Sequence, residues 1–275
     1  MAGKRSYEDA CGAAHALDLV GERWALLVVR ELVFGPKRFT DLRAGLPGIS
    51  PNVLTQRLEE LEQSSVLRRH KLPPPAAAWV YELTEWGLEL EPVIMALGRW
   101  GSRSPARPAQ MPPISTDSLV MSFKTMFDPA AAAGLDGRLQ LSIGESRFRL
   151  EFKRGRLELQ RGRFDAPDAT LEALPDPLAG VVYGGYKLAD AVRAGDVRVE
   201  GDKQLIKRFL GLFPLPPAAP VTSTAAIDAS APPATGRAAK PRPATKAASV
   251  TAKIGSTAKT GSAAKAASSA RASDG

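Results

Sequence analysis

The segment that most restricts the fold of this chain is SPNVLTQRLEELEQ, residues 50–63. Its leucines at 54, 58 and 61 recur at the three-and-four spacing of one helix face, which predicts a helix buried along that side. Ser50 is the expected N-cap, and Pro51 the first helical residue, where a missing N–H costs no hydrogen bond. The opposite face carries short amide, hydroxyl and guanidinium groups, which are suited to reading the edges of DNA bases. These residues are Asn52, Thr55, Gln56 and Arg57.

The residues before this segment predict further helices. Apolar patterns of helical length cover residues 11–20 and 22–33, and Gly35-Pro36 ends the second of them. Residues 39–46, FTDLRAGL, predict a short amphipathic helix with Thr40 as its cap. Because this helix and the quoted one are joined across the short segment LPGIS, they predict a helix-turn-helix.

Two short apolar segments follow and predict a hairpin. VLRRHKL (66–72) and WVYEL (79–83) flank a Pro/Ala loop, as two antiparallel strands would. Thr84 is expected to start a last helix that runs to about Arg99, with a kink or break at Pro92. A hairpin after a helix-turn-helix is the winged-helix arrangement.

The last helix has more apolar side chains than one small domain needs. They could simply cover the core of their own domain. The favoured interpretation is that they form a homodimer interface, since the two tryptophans would otherwise be left in water. The interface residues predicted are Trp86, Leu88, Val93, Leu97 and Trp100.

The remainder of the chain predicts a second folded domain and a tail. Alternating strands (138–143, 147–152, 156–160) followed by apolar helical stretches predict an antiparallel sheet with helices, an α+β domain. The fold class predicted is therefore a mainly α winged helix-turn-helix domain, then an α+β domain, then a disordered tail. The boundaries are 7–101 for the winged helix, 102–114 for a proline-containing linker, 115–214 for the α+β domain and 215–275 for the Ala/Lys/Pro/Ser-rich tail.

The net charge of +8 says little about the folded part. Residues 221–275 hold eight Lys or Arg and only two Asp, so most of the excess lies in the tail. The tail could be an inert, solubilising extension, or its positive charge could add sequence-independent affinity for DNA. We favour the second interpretation. For the folded part, local clustering of charge is more informative than the total.

Several classes of protein are not predicted. No apolar run reaches the roughly 18 residues of a membrane helix, so we expect no membrane insertion and a cytoplasmic, nucleoid-associated protein. A single cysteine and two distant histidines provide no disulfide, metal site or other cofactor site. The second domain lacks a Gly-rich phosphate loop and a nucleophile with a base, so an enzyme is not predicted.

Residues 7–101 closely resemble the HxlR-type winged-helix bacterial regulators. The resemblance is carried by ERW, GPKRFTDL, LPGIS, the quoted helix and YELTEWG, in that order. It implies a homodimer that binds double-stranded operator DNA and acts, as is commoner in the family, as a repressor. The DNA-contacting residues predicted are Lys37, Arg38, Thr40, Arg43, Ser50, Asn52, Thr55, Gln56, Arg57, Arg68, Arg69 and Lys71.

The same resemblance raises a role for Cys11. Some family members use a cysteine near the N-terminus to sense electrophiles or oxidants, and Cys11 matches that position. The other interpretation is an ordinary packed helix residue. Both interpretations remain open at the level of sequence, and a thiol redox sensor is one alternative function.

Residues from about 115 to 214 are similar to the sterol-carrier-protein type 2 domain, mainly through DATL and GDVRVEGD. This resemblance implies an apolar tunnel for a hydrophobic effector and no catalytic residues. The alternatives are a lipid carrier with an accessory DNA-binding head, or apolar residues that simply fill a core. The pocket residues predicted are Leu141, Phe148, Leu150, Phe152, Val182, Phe209 and Phe213.

Overall fold

Two apolar clusters organise the computed structural model, which describes residues 6–106 (the first half) and 113–220 (the second half). In the first half the described chain forms six helices and one hairpin. They are α1 (Gly12–Val20), α2 (Ala25–Leu32), α3 (Phe39–Gly45), α4 (Pro51–Gln63), β1 (Leu67–Lys71), β2 (Trp79–Leu83), α5 (Glu85–Leu88) and α6 (Leu90–Ser102).

The helix-turn-helix formed by α3 and α4 follows the predicted pattern, with one correction. Ser50 caps α4, since its hydroxyl accepts a hydrogen bond from the N–H of Val53. Thr40, in contrast, is not a cap. It lies inside the first turn of α3, and the N–H of the true N-cap, Arg38, donates to the carboxylate of Asp41.

The predicted last helix is broken, but the break lies at Glu89, three residues before Pro92. Thr84 caps α5 through the N–H of Gly87, and α6 restarts after Glu89. The position of the break has a simple cause: Pro92 has no N–H for the carbonyl of Leu88, and its ring would clash with that carbonyl in a continuous helix.

The wing contains an additional backbone segment that the sequence did not predict. β1 and β2 pair antiparallel with Leu67 opposite Leu83. On the other side of β2, Lys37 exchanges two backbone hydrogen bonds with Tyr81, with N···O distances of 3.0 and 2.8 Å. The segment before α3 is therefore attached to the wing.

The second half is a two-layer α+β arrangement. Its helices are α7 (Thr116–Met126), α8 (Pro175–Tyr183), α9 (Leu188–Ala194) and α10 (Lys203–Leu210), and its strands are β3 (Gly137–Ile143), β4 (Ser146–Lys153), β5 (Arg156–Arg161), β6 (Ala169–Ala173) and β7 (Val197–Gly201). The sheet order is β5-β4-β3-β6-β7. The sheet is not wholly antiparallel as predicted, because β3 and β6 run parallel. The sequence analysis also missed α7.

The residues predicted to line a hydrophobic pocket fill a core instead. Six of the seven side chains are buried in one apolar cluster. The seventh, Val182, is partly buried and packs against that cluster. The rings of Phe209 and Phe213 lie 5.2 Å apart, and Phe123 from α7 lies 4.7 Å from Phe213, measured between centroids. Aromatic side chains at these distances occupy the space between the sheet and the helices, so the tunnel expected here is replaced by packed rings.

The two halves share a core, and the linker does not separate them into independent units. Phe34, which follows α2, is buried in the cluster of the second half, where its ring meets Phe148 edge to face at 5.7 Å. The described residues accordingly form one compact unit. Part of the predicted tail also belongs to it, because Ala219 donates its N–H to the carbonyl of Arg103. Residues 107–112 of the linker and 221–275 of the tail lie outside the described residues.

Replacing Phe34 by alanine should destabilise both halves together. The substitution removes a ring from a close-packed site and should cost about 3 to 5 kcal/mol of unfolding free energy. All four tryptophans, Trp24, Trp79, Trp86 and Trp100, lie in the first half, so urea unfolding can be followed there by fluorescence and in the whole chain by circular dichroism. We expect coincident transitions that shift together. Two separate transitions, with only one displaced, would contradict the shared core.

Candidate nucleic-acid interface

Helix α4 presents two chemically distinct faces. Leu54, Leu58 and Leu61 are buried in the core of the first half. Asn52, Thr55 and Gln56 are exposed on the other side, as the leucine spacing predicts. The amide of Gln56 donates to the carboxylate of Glu60 at 2.9 Å, an exposed contact that a base could replace. The first two turns of this face therefore offer two amides and one hydroxyl to solvent.

Arg57 does not belong to this exposed face. Its residue exposure is 8%, and its guanidinium pairs with Glu60 and lies 3.8 Å from the carboxylate of Glu22. The physical reason is its position three residues after Leu54 and one before Leu58, which places it at the edge of the buried side, where Glu22 offers a counter-charge. The prediction that Arg57 faces bases or phosphates is wrong.

Most of the other predicted contact residues are exposed around α3 and the wing. Arg38, Thr40 and Arg43 are exposed on and before α3, and Ser50 is exposed at the start of α4. These are joined by three residues of β1: Arg68, Arg69 and Lys71.

Contacts within the wing fix two of its cations. Arg68 pairs with Glu82 across the hairpin at 2.7 Å. The guanidinium of Arg69 lies 4.8 Å from the ring centroid of Trp79 and 5.8 Å from that of Tyr81. Because stacking on aromatic rings holds a guanidinium without consuming all its N–H groups, Arg69 stays able to donate to an anion.

Lys37 is the second residue that does not match its predicted role as a DNA contact, because its side chain is turned inward. Its ammonium lies 2.7 Å from the carboxylate of Glu31 and 2.5 Å from that of Asp117 in the second half. The side chain is mostly buried, and both of its partners are carboxylates. A phosphate would have to displace one of these carboxylates, so Lys37 is not a free phosphate contact.

Glu31 and Asp117 are the centre of a buried ion network that comprises Arg30, Glu31, Lys37, Asp117 and Arg161. Each carboxylate is only 1% exposed. Glu31 accepts from Arg30 at 3.0 Å and from the hydroxyl of Ser115 at 2.8 Å, in addition to Lys37. Asp117 accepts from Arg161 at 2.6 Å. The network joins α2 of the first half to α7 and β5 of the second.

Sequence reasoning missed this network, although one signal for it is present. Glu31 interrupts the apolar segment ERWALLVVRELV on its buried side, and a buried carboxylate requires a cation. The cations that hold Glu31, Arg30 and Lys37, are close to it in the chain, but the sequence does not show that Asp117 and Arg161, about a hundred residues away, complete the network.

The residues predicted to form a dimer interface are exposed in this single chain. Trp86, Leu88, Val93 and Leu97 are about half exposed and Trp100 is 77% exposed. Helix α6 has no buried side chain along its length, although it is rich in apolar residues. Leu17 of α1 is also exposed. We call these six residues the apolar face.

Cys11 is an exposed thiol that directly precedes α1. The backbone N–H groups of Ala14 and, to a smaller extent, of Ala13 lower the pKa of this thiol. The packed interpretation is therefore wrong: the side chain lies outside any core, at the N-terminus of a helix, where a thiolate is favoured.

Comparisons with known proteins agree with the winged-helix class that this geometry defines. The model of the HxlR-like helix-turn-helix family matches residues 19–108. YodB of Bacillus subtilis, an HTH-type transcriptional regulator, is 38% identical over 88 residues, which cover 32% of this chain and 79% of the relative. The uncharacterised regulator YvaP of the same organism is 36% identical over 87 residues, 32% of this chain and 81% of the relative. The chain belongs to the HxlR-like family.

Two solved structures are similar to parts of this chain. Reduced YodB from Bacillus subtilis is 34% identical over 37% of this chain and 100% of its own, with a TM-score of 0.33. A double mutant of the sec-alkyl sulfatase PisA1 is 21% identical over 36% of this chain, with a TM-score of 0.34. This chain spans only 16% of that enzyme.

The second half matches a different family model, the alkyl sulfatase C-terminal domain, over residues 104–219. The expected sterol-carrier-protein resemblance is not confirmed by this match. Within the described ranges no three His, Cys, Asp or Glu side chains are grouped as metal ligands would be. No helix in these ranges is both long and apolar enough to cross a membrane.

The pKa of Cys11 can be tested by alkylation with iodoacetamide across a pH series. Since the backbone N–H groups stabilise the thiolate, the reaction rate of the folded chain should reach half its maximum at a lower pH than that of the same chain in denaturant. Equal midpoints in the folded and denatured chains would show that the helix start has no effect on the thiol.

Proposed function

We propose that this protein is a transcriptional regulator, acting as a repressor, that binds operator DNA through α4 of its helix-turn-helix. The observation that carries the proposal is the division of α4 into a buried leucine face and an exposed face with Asn52, Thr55 and Gln56. A recognition helix needs this division, because its apolar side must stay in the domain while its polar side enters the major groove. Its place of action would be the chromosomal DNA in the cytoplasm.

Each exposed residue of α4 has a defined role in this proposal. Asn52 and Gln56 are amides, which can pair with both the N6 and N7 positions of adenine. Thr55 lies between them and can contact a thymine methyl group or donate from its hydroxyl. Gln56 exchanges its bond to Glu60 for the base, so reading adenine there costs one exposed hydrogen bond.

Phosphate contacts would set the position of the protein on the duplex. Arg38, Thr40 and Arg43 at α3 and Ser50 at the start of α4 are exposed near the proposed groove-facing helix. Arg68, Arg69 and Lys71 extend the positive surface along the wing. In this proposal these residues provide affinity for the DNA backbone, whereas α4 provides the preference for a particular sequence.

The regulator is proposed to act as a homodimer through the apolar face. Six large apolar side chains in water on α1 and around α6, including two tryptophans, are unusual for a monomer. A second copy of the same face would cover them by a two-fold contact. Two copies of α4 would then address half-sites about one turn of DNA apart.

Two other functions are compatible with parts of this chain. A response to thiol-reactive compounds is favoured by one specific observation, the exposed Cys11 with a lowered pKa, and is compatible with DNA binding. A lipid carrier with an accessory DNA-binding head has less support, since the apolar residues of the second half are packed against one another.

Asn52→Ala and Gln56→Ala should each weaken binding to the DNA upstream of the protein's own gene. Loss of one paired amide should cost about 1 to 3 kcal/mol, which is roughly 5- to 150-fold in affinity. Binding to an unrelated duplex should change little, because phosphate contacts dominate it. Fluorescence anisotropy with both duplexes at one salt concentration measures the two affinities.

A matched control is available on the same helix. Gln63 is also an exposed amide, but it lies at the far end of α4 from the proposed groove-facing turn. Gln63→Ala should leave both affinities unchanged. Equal losses on both duplexes, or an equal effect of Gln63→Ala, would mean that Asn52 and Gln56 do not read bases. Absence of sequence-specific binding by the unaltered chain would favour the carrier.

A further inference from the structure

One carboxylate of α4 joins a proposed base-reading side chain to a buried cation. Oε1 of Glu60 accepts a hydrogen bond from the amide of Gln56 at 2.9 Å, and Oε2 of Glu60 pairs with Nη1 of Arg57. Arg57 is 8% exposed, whereas Gln56 is exposed to solvent. Gln56 and Arg57 are adjacent in the chain but lie on different sides of the helix, and Glu60, one turn further on, connects them.

We propose that Arg57 is a positioning residue for DNA reading and that it acts through Glu60. Arg57 holds the carboxylate of Glu60 against the protein and balances its charge, so that Gln56 can transfer its amide from Glu60 to a base. Arg57 thereby supports the sequence preference of α4 without contacting DNA. This inference rests on the proposed function, in which Gln56 reads a base.

The charges of α4 explain why the helix needs such a residue. Arg57 is the only Lys or Arg in α4, which also contains three glutamates, at 59, 60 and 62. A glutamate beside the major groove repels the phosphates of the duplex. An unpaired Glu60 would also retain Gln56 through a charge-assisted hydrogen bond, which is roughly twice as strong as a neutral one. The pairing with Arg57 reduces both effects at the residue that bonds Gln56.

Arg57 has unused donors for the exchange. Its Nε–H is buried and has no acceptor among the described residues. Its Nη2 lies 3.8 Å from the carboxylate of Glu22, a distance that suits an ion pair but is too long for a hydrogen bond. When Gln56 moves to a base, the released Oε1 of Glu60 can turn to a second N–H of the same guanidinium, as in bidentate Arg–carboxylate pairs. The hydrogen bond that Gln56 gives up is then replaced inside the protein.

Glu22 attaches Arg57 to a second part of the first half. Glu22 lies in the turn before α2, and its side chain is 51% exposed, against 26% for Glu60. The guanidinium of Arg57 would have to leave both carboxylates to reach a phosphate. Because both carboxylates are partly exposed, removal of Arg57 leaves no fully buried charge, and we expect the fold to tolerate it.

The experiment compares the affinity of the full-length chain for two duplexes at one salt concentration. One is the DNA upstream of the protein's own gene and the other is an unrelated sequence. The ratio of the two affinities, measured by fluorescence anisotropy, is the sequence preference. Arg57→Met should lower this ratio about tenfold, because Glu60 then retains Gln56. Adding Glu60→Gln to Arg57→Met should restore the ratio, although Arg57 is still absent.

A matched control separates the exchange from a change in net charge. Glu59 is exposed on the same helix and makes no hydrogen bond or ion pair with the described residues. Arg57→Met combined with Glu59→Gln has the same net charge as the restoring variant, but its ratio should stay low. Glu60→Gln alone, in which Arg57 keeps Glu22, should retain the preference. This variant tests the proposal even if circular dichroism shows that Arg57→Met does not fold.

The glutamine variants decide between three roles for Arg57. Restoration by Glu60→Gln and not by Glu59→Gln supports the role proposed. Without restoration by Glu60→Gln, Arg57 would act on the shape of the helix or on DNA directly, and the proposal would be overturned. Equal restoration by both would reduce the effect to net charge and overturn it as well, as would loss of preference in Glu60→Gln alone.

The unaltered chain distinguishes this inference from the proposed function. Absence of any sequence preference in that chain would refute the proposed function, and the role of Arg57 with it. A clear preference that Arg57→Met leaves intact would refute the role of Arg57 alone.

Discussion

The contact between Lys37 and the two buried carboxylates, Glu31 and Asp117, is the interaction on which the rest of the structure depends. Removing a carboxylate from water costs several kcal/mol, and an unpaired one in a core would not be tolerated. Here each carboxylate is only 1% exposed, and each is held by at least two cations. Because these cations come from α2, from the segment before α3 and from β5, the charges can be satisfied only if the two halves adopt one relative arrangement.

This arrangement connects the second half to the helix-turn-helix. Lys37 binds Asp117 of α7 with its side chain and Tyr81 of the wing with its backbone. Phe34, three residues earlier, is buried against Phe148 of the sheet. The short segment between α2 and α3 is thus anchored on both sides. The helix-turn-helix begins directly after it, so a change in the second half has a direct structural route to the proposed DNA-reading surface.

The local part of the fold could be predicted from the sequence because it depends on neighbours in the chain. The leucine spacing of α4, its cap at Ser50 and the exposure of Asn52, Thr55 and Gln56 follow from helical geometry alone. The errors concern ion pairs and ring contacts that form only in the folded chain. Arg57 and Lys37 look like free cations in the sequence, but acidic residues elsewhere pair with them. The apolar pattern of the strands is equally compatible with a packed core and with a ligand pocket. The positions of the aromatic rings, which pack against one another, decide in favour of the core.

The central claim is that Lys37 and Asp117 are energetically coupled across the two halves. A double-mutant cycle with Lys37→Met, Asp117→Asn and the double variant, measured by urea unfolding, tests it most directly. Each single variant takes one of two counter-charges from a buried partner, because Asp117 keeps Arg161 and Lys37 keeps Glu31. The double variant should therefore be less destabilised than the sum of the two, by about 1 to 3 kcal/mol. Destabilisations that simply add would contradict the account, because the two halves would then not depend on this contact.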